Sequence, residues 1–265
     1  MTSKSIRFRD LHYRDHPLLL PNAWDVASAA LLAAQGFSAV GTTSLGVAAG
    51  AGLADGVGAT QDETFRLAMR LAPLTVPVTV DIEGGFSTDP EEVAEFAWHL
   101  GELGIAGINL EDGRADVRLA EPGAQAELIA AVKARVPELF VNARVDTHWL
   151  GLAEDSTFDR IAAYEKAGAD GIFVPGITAP EQIRAVTEST TLPVNILATG
   201  TPVADLAALG VRRISTGSLL YRSALAATVR TAVALRDGAA LPGDIPGYRE
   251  LRTPRVGHGI GPELQ

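Results

Sequence analysis

Short apolar runs recur along the chain, and each is followed by a longer segment whose apolar residues return every three or four positions. The runs at Leu18–Pro21, Ala39–Thr42, Val76–Val80, Gly107–Leu110, Phe140–Ala143, Gly171–Val174, Pro193–Leu197 and Arg212–Ser215 read as eight strands. The segments between them, such as Pro90–Leu103 and Phe158–Ala167, are rich in Ala, Leu, Glu and Arg and read as amphipathic helices. Gly36, Gly104, Gly168 and Gly210 sit just past periodic segments, where a left-handed cap residue is wanted. The phrases AQGFSAVG, ELGIAGI, KAGADGI and ALGVRRI are thus variations on one helix-to-strand joint. Strict alternation of strand and helix predicts a parallel sheet, and eight units predict its closure into a single (β/α)8 TIM-type barrel over residues 1–240. An open doubly wound sheet is the alternative. The stretch GAGLADG lacks the G-x-G-x-x-G spacing, and no acid closes a following strand, so it does not predict a dinucleotide loop. Residues 241–265, rich in Gly, Pro and Arg, are expected to form a tail packed on the barrel or on a neighbouring subunit.

Composition narrows the functional classes. Of the 265 residues, 47% are apolar but only 6% aromatic, so the core must be built from Ala, Val, Leu and Ile, as in strands covered on both faces. The net charge of −10 argues against a nucleic-acid surface or an anionic membrane, though not against a small anion held locally. With no cysteine, thiol acids, thiol nucleophiles and thiolate ligands are excluded. Met1–Pro17 lacks the apolar core of a signal peptide, and no run of about 18 apolar residues predicts a membrane span. A cytoplasmic protein is expected.

In a barrel the chemistry sits where strands end. The first strand runs into Asn22, Trp24 and Asp25, the second into Thr43, Ser44 and Leu45, and the third into Asp81 and Glu83. The fourth runs into Glu111 and Asp112, and the fifth into Arg144 and Asp146. Strand alternation places Asp81 and Glu83 on one face with Ile82 turned away, so Asp81, Glu83 and Glu111 are expected to converge. Unneutralised, such a group would repel itself and take up a proton; a hard divalent cation resolves this. Oxygen donors with no Cys and no His cluster favour Mg2+ or Mn2+ over zinc. The same acids could instead cap helices or pair with rim arginines. Gly84 and Gly85 would permit close backbone approach to a ligand. Arg144 reads as a clamp for a carboxylate or phosphonate, or as half of a structural ion pair that Asp146 orients. His12, His16, His99, His148 and His258 read as packing or rim residues.

The stretches PNAWD, TTSLGVAAGAGLADG, VPVTVDIEGGF, GINLEDG, VNARVD, YEKAGADGIFVPG and LPVNILATG, in this order, resemble the isocitrate lyase/phosphoenolpyruvate mutase superfamily. The resemblance implies a barrel that assembles as a dimer or tetramer by exchanging its last helix, and that binds Mg2+ and a small anionic 2-oxo acid. By position, Asp81 resembles the principal metal ligand, while Glu83, where the family usually has Asp, and Glu111 hold the metal's waters. Asp55 matches an acid near the reacting group and Arg144 the substrate clamp. Thr43, Ser44 and Leu45 match a turn donating amides to substrate oxygens; Trp24 and Asn195 match positions near the ligand. The chain departs from the pattern after Glu111-Asp112, where GRADVRLAEP replaces the Lys-Cys-Gly-His lid of the isocitrate and methylisocitrate lyases. The lid Lys and Asn of the mutases are missing too. The resemblance therefore implies an Mg2+-dependent lyase or decarboxylase acting on a 2-oxo dicarboxylate or 2-hydroxy acid through a metal-stabilised enolate. The alternatives are carbon–phosphorus chemistry on a phosphonopyruvate-like compound, or a 2-oxo acid-binding protein with little turnover.

Overall fold

The structure, a computed structural model, describes residues 3–243, 245–248 and 251. Its main sheet runs β1 (Leu18–Leu20), β2 (Asn22–Ala23), β3 (Val40–Thr42), β4 (Val78–Asp81) and β5 (Gly107–Glu111). After a small hairpin of β6 (Gly113–Arg114) and β7 (Arg118–Leu119) come β8 (Phe140–Arg144), β9 (Gly171–Phe173), β10 (Val194–Leu197) and β11 (Arg213–Ser215). Every pairing in the main sheet is parallel. Each predicted strand is present, and the architecture is the expected TIM-type barrel. One predicted strand is split: Pro21 has no N–H to give the ladder, so β1 pairs only with β11 and β2 only with β3. The stretch 18–23 thereby joins the last strand to the second and closes the ring.

The helices cover the outside. They are α2 (Val26–Ala34), α3 (Ser44–Ala51), α4 (Gln61–Leu71), α5 (Pro90–Glu102), α6 (Pro122–Arg135), α7 (Thr147–Leu150), α8 (Thr157–Lys166), α9 (Pro180–Glu188), α10 (Val203–Ala208) and α11 (Leu219–Arg236). The α5 helix shows why they form. Asp89 caps its N-terminus by accepting from the Glu91 amide at 2.9 Å, and Pro90 occupies the first turn, where no N–H is needed. Val93, Ala94, Phe96, Ala97 and Leu100 bury one stripe against the sheet, each large side chain contributing about 1.5–3 kcal/mol. Gly104, at φ +83°, ends the segment as expected.

Two features were not anticipated. Ser3–Leu11 forms a helix, α1, which the sparse apolar pattern of the N-terminus did not predict. Its Phe8 and Leu11 pack with Leu18, Leu20, Ala39, Ala106 and Phe140 as a second core cluster that plugs the base of the barrel. The barrel interior is also unexpectedly polar, with Thr79, Asn109, Asn142, Asn195, Arg213 and Ser215 all buried. The α11 helix buries none of its residues. Most of the expected tail, 241–265, lies outside the described residues. Among the described residues, no helix is long and apolar enough to cross a membrane.

Candidate functional site

The C-terminal strand ends surround a cavity of about 430 Å3 lined by Thr43, Ser44, Leu45, Asp55, Asp81, Glu111, Arg144 and Asp146 among others. A second cleft of about 530 Å3, between Arg14, Arg184 and Arg212, lies at the opposite end, away from the acids. Asp81 is the last residue of β4, and its amide donates to Thr42 Oγ1 at 2.9 Å. Glu111, at the end of β5, meets Arg144 Nη1 at 2.5 Å, and Asp146 takes Arg144 Nε at 2.6 Å. The guanidinium carbon also stands 5.9 Å from the Trp149 ring and 5.8 Å from the Phe173 ring. Arg144 Nη2 has no partner among the described residues and is left for the cavity. Thr43 is the N-cap residue of α3, so the first amides of that helix, which have no intrahelical acceptor, open onto the same cavity.

Burial dominates the electrostatics. It raises Asp81 to about 6 and Glu111 to about 8; Arg144 opposes both shifts, while the neighbouring acids reinforce them. Burial alone would lower Arg144, but Glu111, Asp146 and Asp81 together outweigh it and hold the guanidinium above its ordinary value.

Glu83 lies near enough to Asp81 and Glu111 to act on both electrostatically, but of the three only Asp81 and Glu111 line the cavity. The β4 strand ends at Asp81, and Glu83 sits in the following turn with φ +50°, so strand alternation does not reach it. Its carboxylate turns to the loop before α4, where it accepts from the Gly58 amide at 2.9 Å and from the Thr60 hydroxyl. Among the described residues, no group of three or more acids or histidines is disposed to hold an ion directly. The glycines at 84 and 85 also serve another purpose: a Cβ at Gly84 would lie 2.7 Å from Arg114 Nη1, and one at Gly85 would lie 3.0 Å from Val93.

A family model for phosphoenolpyruvate phosphomutase matches residues 8–236. The chain belongs to that family, within the isocitrate lyase/phosphoenolpyruvate mutase superfamily. Over 249 residues it is 46% identical to an uncharacterised protein of Mycobacterium tuberculosis strain H37Rv, covering 93% of this chain and 95% of that one. It is 33% identical to the oxaloacetate decarboxylase of Rhodopseudomonas palustris, over 73% of this chain and 68% of the enzyme. A solved 2,3-dimethylmalate lyase superposes with TM-score 0.82 at 26% identity, covering 95% of this chain and 94% of that one.

For this phosphomutase-family chain, the cavity brings together Thr43, Ser44, Leu45, Asp55, Asp81, Glu111 and Arg144. Asn195 is not among the lining residues: it is fully buried inside the barrel, where its Oδ1 accepts from Ser215 Oγ at 3.1 Å. Trp24 also stands back, its ring edge-on to Tyr221 at 5.3 Å. Arg114 is held by the protein on both of its terminal nitrogens. Its Nη1 donates to the carbonyls of Glu111 and Gly113, and its Nη2 to Gln125 Oε1 at 2.7 Å, pinning the β6–β7 hairpin.

Sequence reasoning missed the support behind Arg144. Asp112 is fully buried and turns away from the cavity to Arg160 Nη1 at 2.9 Å and the Tyr164 hydroxyl at 2.7 Å. Its other oxygen accepts from the Asp146 amide at 2.8 Å, so it fixes the residue that fixes Arg144. The available signal was the spacing of Arg160 and Tyr164, four apart on the buried face of α8.

Proposed function

We propose that this chain is a divalent-cation-dependent carbon–carbon lyase or decarboxylase acting on a small 2-oxo dicarboxylate or related 2-hydroxy acid. The observation that carries the reading is Arg144, immobilised by Glu111 and Asp146 beside an Asp81 that no cation among the described residues pairs with directly, across from the free amides of α3. The named relatives support it, since one is an oxaloacetate decarboxylase and another cleaves 2,3-dimethylmalate.

The donor set suits Mg2+ better than a fully protein-ligated ion. Mg2+ keeps most of its waters and takes one or two carboxylates, and here Asp81 alone among the three predicted acids is free of a strong protein partner. Asp81 would ligate the ion directly, with Glu111 reaching its waters, while the Glu83 amide holds Asp81 Oδ1 at 3.1 Å. When bound, Mg2+ would polarise the 2-oxo group as a Lewis acid and offset the negative charge developing on its oxygen. Arg144 holds a substrate carboxylate, with its own orientation set by Asp146. The Ser44 and Leu45 amides complete the grip on the anionic end. Asp55, exposed at the lip of the cavity, stands where a proton could be exchanged with solvent. The exposed apolar residues Leu225, Val229, Val233 and Leu235 of α11 support a homo-oligomer in which the last helix packs on a neighbouring subunit.

Pyruvate release from oxaloacetate with Mg2+, measured against a metal-only control, tests this. Asp81→Ala is expected to lower the rate about a hundredfold or more, the scale on which single electrostatic groups act in catalysis. A wild-type rate equal to the metal-only control, or one unchanged by the substitution, would overturn the proposal.

A further inference from the structure

The rim of the cavity is chemically divided. Asp55, Asp81, Glu111, Arg144 and Asp146 come from the β3-to-β8 side, whereas the elements that follow contribute an apolar wall beside the hydroxyls of Ser215, Thr216 and Ser218. That wall comprises Trp149 and Leu150 of α7, Phe173 and Pro175 at the end of β9, Leu197 of β10, and Leu219 at the start of α11. Trp149 is 55% exposed and Leu219 41% exposed, so these are large apolar surfaces left open at a cavity mouth. Arg222 also borders the cavity and is itself exposed.

A four-carbon dicarboxylate has no surface to offer this wall, and turning its second carboxylate onto it would strip water from a charge without replacing the hydrogen bonds. The cavity volume of about 430 Å3 falls in the range that takes ligands well above that size. Resting on the oxo-acid reading above, we propose that the substrate is amphipathic: a 2-oxo dicarboxylate whose third carbon carries an alkyl branch seated against Trp149, Leu150, Phe173 and Leu197. In the reaction the bond from carbon 3 to the carboxylate at carbon 4 breaks and carbon dioxide leaves. The electron pair passes into the 2-oxo group as an enolate, a proton from solvent adds at carbon 3, and the product is a 2-oxo acid one carbon shorter.

The test has a kinetic arm and a binding arm. With Mg2+ present, kcat/KM for carbon dioxide release is compared for oxaloacetate, 3-methyloxaloacetate and 3-butyloxaloacetate. It is expected to rise about fourfold for each methylene added, the worth of burying that group. Calorimetry of 2-oxobutanoate against 2-oxooctanoate should show tighter binding of the longer acid whether or not turnover occurs. Trp149→Gln and Leu150→Asn, both at solvent-accessible positions and so compatible with folding, should flatten both series. A binding series that is flat or weakens with length overturns this inference. So does a flat rate series when oxaloacetate itself is turned over, and that result leaves the decarboxylase reading standing. Length-dependent binding without turnover of any member supports the apolar subsite and overturns the decarboxylase reading instead.

Discussion

Two arginines lie deep in the barrel, one at each end, and their surroundings differ in kind. Arg144 at the mouth, its side chain 14% exposed, is gripped by Glu111 and Asp146. Arg213 toward the base is fully buried and forms no ion pair among the described residues, Asp81 acting on it only at a distance; its Nη2 donates to Asn109 Oδ1 at 3.1 Å, and it faces the Phe8 ring at 5.9 Å. Its Nε and Nη1 have no hydrogen-bond partner among the described residues. Burial pulls Arg213 down to about 9, while the acids hold Arg144 above its ordinary value. Burial alone therefore does not mark a functional charge. The mouth is organised around its cation; the base merely accommodates one among amides and an aromatic face.

Removing each charge should separate the two regions. Arg144→Met leaves Glu111 and Asp146 buried without their counter-charge, and is expected to cost about 3–5 kcal/mol by urea denaturation and to abolish turnover. A loss below about 1 kcal/mol would show that the acids do not depend on it. The next effect belongs to the base. His12 stacks on Phe140 at 4.3 Å, contacts the Phe8 carbonyl at 2.8 Å through Nδ1, and is pulled down to about 3 by burial and then by Arg213. Above pH 6.5 the ring is neutral in both the folded and unfolded chain. Below it the unfolded chain takes up a proton that the native chain refuses, so stability falls as pH drops from 6.5 toward 3. At pH 5 the loss is about 2 kcal/mol, and His12→Gln should remove that pH dependence from denaturation curves recorded at pH 7 and 5. The smallest change is expected for Arg213→Met, within about 1 kcal/mol of the parent or more stable, because no carboxylate among the described residues loses a direct ion-pair partner. A destabilisation matching that of Arg144→Met would erase the contrast between the two ends.

The mouth was more legible in the sequence than the base, for a physical reason. Strands buried on both faces announce themselves as continuous apolar runs, and functional groups in a barrel gather at their ends, so Asp81, Glu111 and Arg144 could be read from position alone. Glu83 was misread because the rule of alternation was carried past the point where β4 stops and the backbone turns left-handed. Asp112 was visible as an acid, but its direction depends on Arg160 and Tyr164, about fifty residues away. The base was hidden because α1 buries only Phe8 and Leu11 between charged neighbours, a pattern too sparse to show helical period. Arg213 looked like one more residue of a helix-to-strand joint; nothing local reveals that its side chain enters the barrel.

The split at Pro21 bears on how the molecule is made. Asn22, one residue on, is the stitch across the seam: its Nδ2 donates to the Thr42 carbonyl at 2.7 Å, and its Oδ1 accepts from the amides of Thr216 and Gly217 at 3.0 Å. Those last partners are 194 and 195 positions away. During synthesis from the N-terminus, the early strands emerge long before β11 exists to meet β1. Until then the growing chain is an open sheet with two unsatisfied edges, the form most prone to pairing with its neighbours. The entropy cost of closing so long a loop exceeds that of a loop half its length by only about 0.6 kcal/mol, because it grows slowly with length. The barrel shuts last, and the ring of strand ends that lines the cavity is complete only once the final stave has left the ribosome.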